Sequence, residues 1–125
     1  LENPIIGVGL GNWKVKSIDY DNINMISYTV QYHAHNDFLQ FSAELGLFGL
    51  LTYLGIFLFC LIYNIKNIFS DNNENSFFSF IMILSLGAYF IDSNLNFPYA
   101  RIINLIVFIF IISGSLIQKS LNYEK

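Results

Sequence analysis

From Leu45 to Ile65 the sequence is apolar apart from Thr52, Tyr53, Tyr63 and Asn64. Twenty helical residues rising 1.5 Å each cover about 30 Å, the hydrocarbon thickness of a bilayer. A chain of 125 residues has room for one domain at most, and this one is 54% hydrophobic, 18% aromatic and only 12% charged. That balance is far from a soluble average and points to lipid as the surrounding solvent. Lys66-Asn67 and then Ser70-Asp71-Asn72-Asn73-Glu74-Asn75 make a break too polar for the hydrocarbon region. A second apolar run, Phe77 to Ile91, reaches spanning length when extended through Leu95, and Pro98 then interrupts the helical pattern. A third run covers Ile102 to Ile117 and ends near Gln118-Lys119. The expected fold is an all-α membrane protein, an extramembrane loop over residues 1–36 followed by three transmembrane helices near 45–65, 77–95 and 102–118. This helical membrane region, residues 37–125, reads as part of a larger polytopic bundle.

Charge and termini narrow the function classes. The net charge is −3 with no basic cluster, so the electrostatics that nucleic-acid binding requires are missing. The single cysteine, Cys60, lies inside an apolar run, where it serves as a small hydrophobe. The sequence opens Leu1-Glu2-Asn3-Pro4, with neither an initiator Met nor a signal-like segment, and reads as the C-terminal piece of a longer protein. Lys66, Lys119 and Lys125 fall on one side of the three spans and Arg101 on the other. The bias of basic residues toward the cytoplasm then places the segment before the first span outside.

Two stretches of that outer segment carry polar or glycine-rich patterns. Gly7-Val8-Gly9-Leu10-Gly11-Asn12-Trp13 follows Pro4-Ile5-Ile6. A dinucleotide fingerprint needs a strand before such a loop and a helix at its end, and Pro4 and the polar Lys14-Val15-Lys16-Ser17 argue against both. The simpler reading is a turn that needs positive φ at its glycines. Ile18 to Asn24 is rich in turn-forming Asx residues, and Ile26 to Tyr32 is β-prone.

The second stretch, His33-Ala34-His35-Asn36-Asp37-Phe38-Leu39-Gln40, runs directly into Phe41-Ser42-Ala43-Glu44-Leu45-Gly46. A capping residue followed three positions later by Gln predicts a helix start at Asn36 or Asp37, continuing into the first span. His35 then stands at the helix mouth. On an unbroken helix eleven residues return to within about 20° of the same direction, which would align His35 with Gly46, close to Ser42, Gly49 and Tyr53. Small residues on that line would admit another helix or a lipid-linked substrate close to the backbone. A helix N-terminus favours phosphate, and a neutral imidazole can serve as a base. An interfacial histidine is also a common polar residue at a membrane surface. His33-x-His35 is half of a metal-site pattern as well, with Asp37 or Glu44 as loose third ligands. Glu44 reads first as a carboxylate satisfied by the helix dipole or by a neighbouring helix, because its depth is costly otherwise. Arg101 could hold a phosphate or snorkel, with Asp92 as a possible partner.

The order of Asn3-Pro4-Ile5-Ile6-Gly7-Val8-Gly9-Leu10-Gly11-Asn12, His33 to Gln40, and Glu44-Leu45-Gly46-Leu47-Phe48-Gly49 resembles the O-antigen ligase and polymerase superfamily of bacterial polytopic membrane proteins. The likeness is most specific from His35 to Gly46, a histidine and a glycine separated by ten residues, and looser at Pro98 to Arg101. It implies an inverting glycosyltransferase of the inner membrane that works without metal or other cofactor. The implied donor is a glycan on undecaprenyl pyrophosphate, and the acceptor is lipid A core or a growing polymer. His35 would be the general base, facing the periplasm. His33, Asn36, Glu44, Gly46 and Arg101 would support it or bind substrate. The bilayer, the donor, the acceptor glycan and the missing N-terminal helices are the implied partners. A polysaccharide polymerase or a protein O-glycosyltransferase of the same superfamily would share these motifs. An inactive membrane fragment is the non-enzymatic alternative.

Overall fold

The computed structural model describes residues 3–20, 32–69 and 73–123. The regular elements are all helical among these residues: a single turn α1 (Trp13–Lys16), then α2 (Asp37–Ile68), α3 (Asn73–Leu95) and α4 (Ile102–Tyr123). Short 3₁₀ turns cover Ser17–Tyr20 and Pro98–Ala100. The β-prone stretch lies, except for Tyr32, outside the described residues, as do Asp21 to Asn24.

The ends of the long helices follow local chemistry. Asn36 caps α2, its Oδ1 accepting the Leu39 N–H at 3.0 Å, while its own carbonyl takes the first helical bond from the Gln40 N–H. At the other end the Ser76 hydroxyl donates to the Ile68 carbonyl at 2.8 Å, satisfying a group that the helix terminus leaves open. Pro98 separates α3 from α4 as expected, and the Arg101 carbonyl accepts from Leu105 N–H to begin α4.

Two helices are long and apolar enough to cross a membrane, α2 and α3. The apolar part of α4, Ile102–Ile117, is shorter. Only 22% and 28% of the most apolar stretches of α2 and α3 are buried within the chain. A soluble protein's core helix would be covered, and side chains such as Leu58, Phe59, Ile62, Phe77, Leu84 and Ile91 stand exposed here. Such surfaces suit lipid or further helices, as in a membrane-associated protein.

The first expected span differs in one respect. The helix starts at Asp37, as the capping pattern predicts, but it is interrupted at Gly46, where φ is 66° and ψ −160°. The chain divides into two compact units, one comprising Leu1–Leu54 and Ser93–Phe97, the other Gly55–Asp92 and Pro98–Lys125.

The second unit has an aromatic core. Tyr89 stacks on Phe108 with centroids 4.4 Å apart, Phe57 packs on Phe108 at 5.1 Å, and Cys60, Met82, Leu86 and Ile111 complete the buried set. An asparagine and a serine inside it are joined. Asn64 Nδ2 donates to the Cys60 carbonyl and to Ser115 Oγ, each at 2.8 Å, and Ser115 donates to the Ile111 carbonyl. Small residues and hydrogen-bonding side chains are the usual means by which helices associate in lipid, where apolar burial drives little.

The first unit is built differently. The segment from Pro4 to Gly9 lies backbone against backbone on the interrupted part of α2. In a continuous helix the Ala43 and Glu44 carbonyls would accept from residues 47 and 48. Instead Val8 N–H donates to Ala43 (3.0 Å) and Gly9 N–H to Glu44 (2.8 Å), while Leu47 N–H donates to the Pro4 carbonyl (3.0 Å). The N-terminal loop thus supplies partners for backbone groups that the helix leaves open at Gly46.

Candidate functional site

The glycine turn has the expected positive φ, at Gly7 (76°), Gly9 (96°) and Gly11 (77°). Two of the glycines face each other. A Cβ on Gly7 would collide with the Glu44 carbonyl and stand 2.6 Å from the Gly46 nitrogen. One on Gly46 would collide with the Ile5 carbonyl and stand 2.7 Å from the Ile6 nitrogen. What approaches Gly46 is therefore the chain's own loop. A single helical turn, α1, does follow this loop, contrary to the expectation drawn from Lys14 to Ser17.

Glu44 is 1% exposed, and its carboxylate is fully engaged. Oε2 accepts from Gly11 N–H at 2.9 Å, and Oε1 from Trp13 N–H at 3.2 Å and from Gln40 Nε2 at 3.1 Å. The satisfied-carboxylate reading holds, with the glycine loop and Gln40 as partners in place of a dipole or a neighbouring helix. Backbone N–H groups that a phosphate would use in a nucleotide loop are here turned onto an internal carboxylate. Gln40, 3% exposed, spends its Oε1 on the Ala34 N–H at 3.1 Å, so it joins Glu44 to the peptide between the two histidines.

His35 is exposed, with φ 52°. It precedes α2 and does not share its helical direction. With Gly46 also non-helical, the alignment of the two residues over eleven positions does not occur, because the periodicity assumed an unbroken helix. His33 stacks on Phe97 with ring centroids 4.4 Å apart and planes 14° apart, and His35 meets the same ring edge-on at 5.0 Å. Asn36 Nδ2 donates to the Asn94 carbonyl at 3.2 Å. The Ser93–Phe97 segment thus buttresses the histidine loop from outside its own stretch of sequence. Behind it Asp37, fully buried, accepts from Tyr53 Oη at 3.1 Å, and Tyr53 lies 3.2 Å from Ser93 Oγ.

The structure brings His33, His35, Asn36, Glu44 and Gly46 into the first unit. Arg101 belongs to the second, exposed at the head of α4. Asp92, also in the second unit, accepts from Asn104 Nδ2 at 3.2 Å beside a crevice of about 360 Å³. Among the described residues no three His, Cys, Asp or Glu side chains gather into a metal-ligand set. Sequence reasoning missed Phe97 and Asn94, whose partners in the histidine loop are 58 to 64 residues away with no spacing to announce them, and it placed Tyr53 near the line of His35 rather than against Asp37. Gln40 was visible only as a capping-box residue.

Comparison with known proteins bears on this same unit. Residues 1–54 match the family described as O-Antigen ligase. The likeness to that family thus covers the N-terminal 54 residues of the chain. The matched stretch coincides with the larger part of the first unit, Leu1–Leu54. A protein of Rickettsia conorii described as a polysaccharide ligase is 35% identical over 80 residues, which is 60% of this chain. The aligned part spans 18% of that relative's length. No solved structure matches the chain significantly.

Proposed function

We propose that this chain is part of a membrane glycan ligase, and that it contributes the general base. The observation that carries the proposal is the position of His35. It sits within the stretch that matches the O-antigen ligase family, exposed, with one ring edge against Phe97 and no hydrogen bond from its imidazole to another described residue. The residues on either side of it are held by hydrogen bonds to Gln40, Leu39 and Asn94. Such a group can take a proton from an acceptor hydroxyl as that oxygen attacks the anomeric carbon of the donor. The donor is a glycan on undecaprenyl pyrophosphate, whose leaving group needs little acid assistance. The acceptor is the lipid A core sugar or, in a polymerase, the growing polymer. His33 orients the loop through its stack on Phe97, and Arg101 is a cation the chain offers to a phosphate. Residues 1–36 face the periplasm, and α4 makes the third crossing of the inner membrane over residues 102–118.

His35→Ala in the full-length protein should lower glycan transfer by about 10²- to 10⁴-fold, the usual contribution of a positioned base. Membrane insertion should be unchanged. His35→Asn is a second variant, because Asn tolerates the left-handed backbone at this position. Transfer at wild-type rates in either variant would remove the base assignment.

A further inference from the structure

We propose that Gln40 is a positioning residue for His35, transmitting the lock between the glycine loop and α2 to the backbone of the histidine loop; this rests on the reading of His35 as the base. Gln40 is buried one turn into α2 and makes two bonds of opposite sense. Its Nε2 donates to Glu44 and its Oε1 accepts from Ala34 N–H. A carboxylate can only accept, and a peptide N–H can only donate, so the partners dictate which way the amide faces. Glu44 is held in turn by Gly11 and Trp13. The residue next to the bonded peptide, His35, has a left-handed backbone that an L residue keeps only when its surroundings impose it. The surroundings act from both sides, through Gln40 at Ala34 and through Leu39 and Asn94 at Asn36.

A residue that only fills space would tolerate a replacement of equal volume. Gln40→Met keeps the volume and removes both bonds. In the full-length protein it should lower kcat by about 10- to 100-fold, since a displacement near 1 Å at a reacting group costs that much. KM for the lipid-linked glycan should stay within about twofold, because Gln40 is buried away from substrate. Gln40→Glu supplies a sharper test. Its titratable neighbours are Glu44 one turn on, Asp37 one turn back, and His33 and His35 in the preceding loop; the glycine loop reaches this network through backbone N–H groups. Two adjacent buried carboxyls hold one proton between them tightly. While protonated, the introduced carboxyl donates to Glu44 and accepts from Ala34, reproducing both native bonds. Once the shared proton leaves, repulsion replaces a bond.

Transfer by Gln40→Glu should therefore approach wild type at the acidic end of the profile and fall along a new alkaline limb. Neither the wild type nor Gln40→Met should show that limb. Thermal unfolding of each detergent-solubilised variant measures the folded fraction. Gln40→Met within about threefold of wild-type kcat overturns the proposal, as does a loss of activity that merely follows loss of folded protein. A Gln40→Glu profile that superimposes on wild type, or activity absent at every pH, overturns it too. The underlying reading fails separately. Transfer retained in His35→Ala removes the base, whereas loss in His35→Ala beside wild-type rates in Gln40→Met removes only the positioning role.

Discussion

The two units use glycine and polar groups in opposite ways. In the first, Gly7 and Gly46 face one another with no room for a Cβ, and the neighbours they would strike are backbone atoms. In the second, a Cβ on Gly114 would stand 2.9 Å from the sulfur of Met82, the far end of a flexible side chain, and Gly55 and Gly87 face open space. The first unit places a carboxylate and an amide at its centre and satisfies them with main-chain N–H donors and with each other. The second places aromatic rings there, with one asparagine–serine link between α2 and α4. A backbone lock fixes position to a fraction of an ångström, whereas side-chain packing can readjust. The precise construction is the one that holds the histidine loop.

Substitutions can break this contrast, beginning with the largest effect. Gly46→Ala forces a Cβ into the Ile5 carbonyl at a backbone conformation that only glycine adopts readily, and should cost on the order of 3 kcal/mol or more. Thermal unfolding of the full-length protein in detergent reads it, and a variant as stable as wild type would show that the loop and helix are not locked. Glu44→Gln comes next. Three N–H donors converge on two oxygens, and an amide offers only one, so at least one donor meets an NH₂ group. A loss of about 2 kcal/mol is expected, with protease cleavage appearing in residues 3–13.

In the second unit the effects should shrink. Asn64→Leu removes the link to Ser115, which keeps its own bond to Ile111, and should cost about 1 kcal/mol in the same assay. A loss as large as that of Glu44→Gln would erase the distinction between the units. Gly87→Ala should be neutral or stabilising by up to about 1 kcal/mol, because its surroundings are open and alanine is the better helix former. Destabilisation there would mean that a neighbour covers this face in the full-length protein.

Much of this organisation is visible along the chain, and the parts that are not have a common cause. Apolar run length marked α2 and α3, Pro98 marked the boundary before α4, and the Asn36-Asp37 cap marked the start of α2, because each is a local property of consecutive residues. The positive φ of Gly7, Gly9 and Gly11 was likewise readable, since three alternating glycines after Ile5-Ile6 leave few other conformations. The candidate base was recognisable by its resemblance to the ligase signature. Its surroundings were not. Periodicity placed His35 on the helical line of Gly46, and failed because the helix breaks where another segment lends its hydrogen bonds. Nothing within α2 forecasts that loan, as its donors lie some 35 residues earlier.

The amino-acid sequence by itself determined the helical class, the apolar character of the long helices and the glycine turn, which follow from nearest neighbours and composition, and it carried the likeness to the ligase family in the order of its motifs. Tertiary structure alone decided that Gly46 leaves the helix, that Glu44 answers the glycine loop, that Gln40 joins both to Ala34, and that Phe97 stands against the two histidines. The physical reason is that a buried donor or acceptor must find a partner somewhere, and which partner it finds is settled by what the folded chain brings within 3 Å rather than by what lies beside it in sequence.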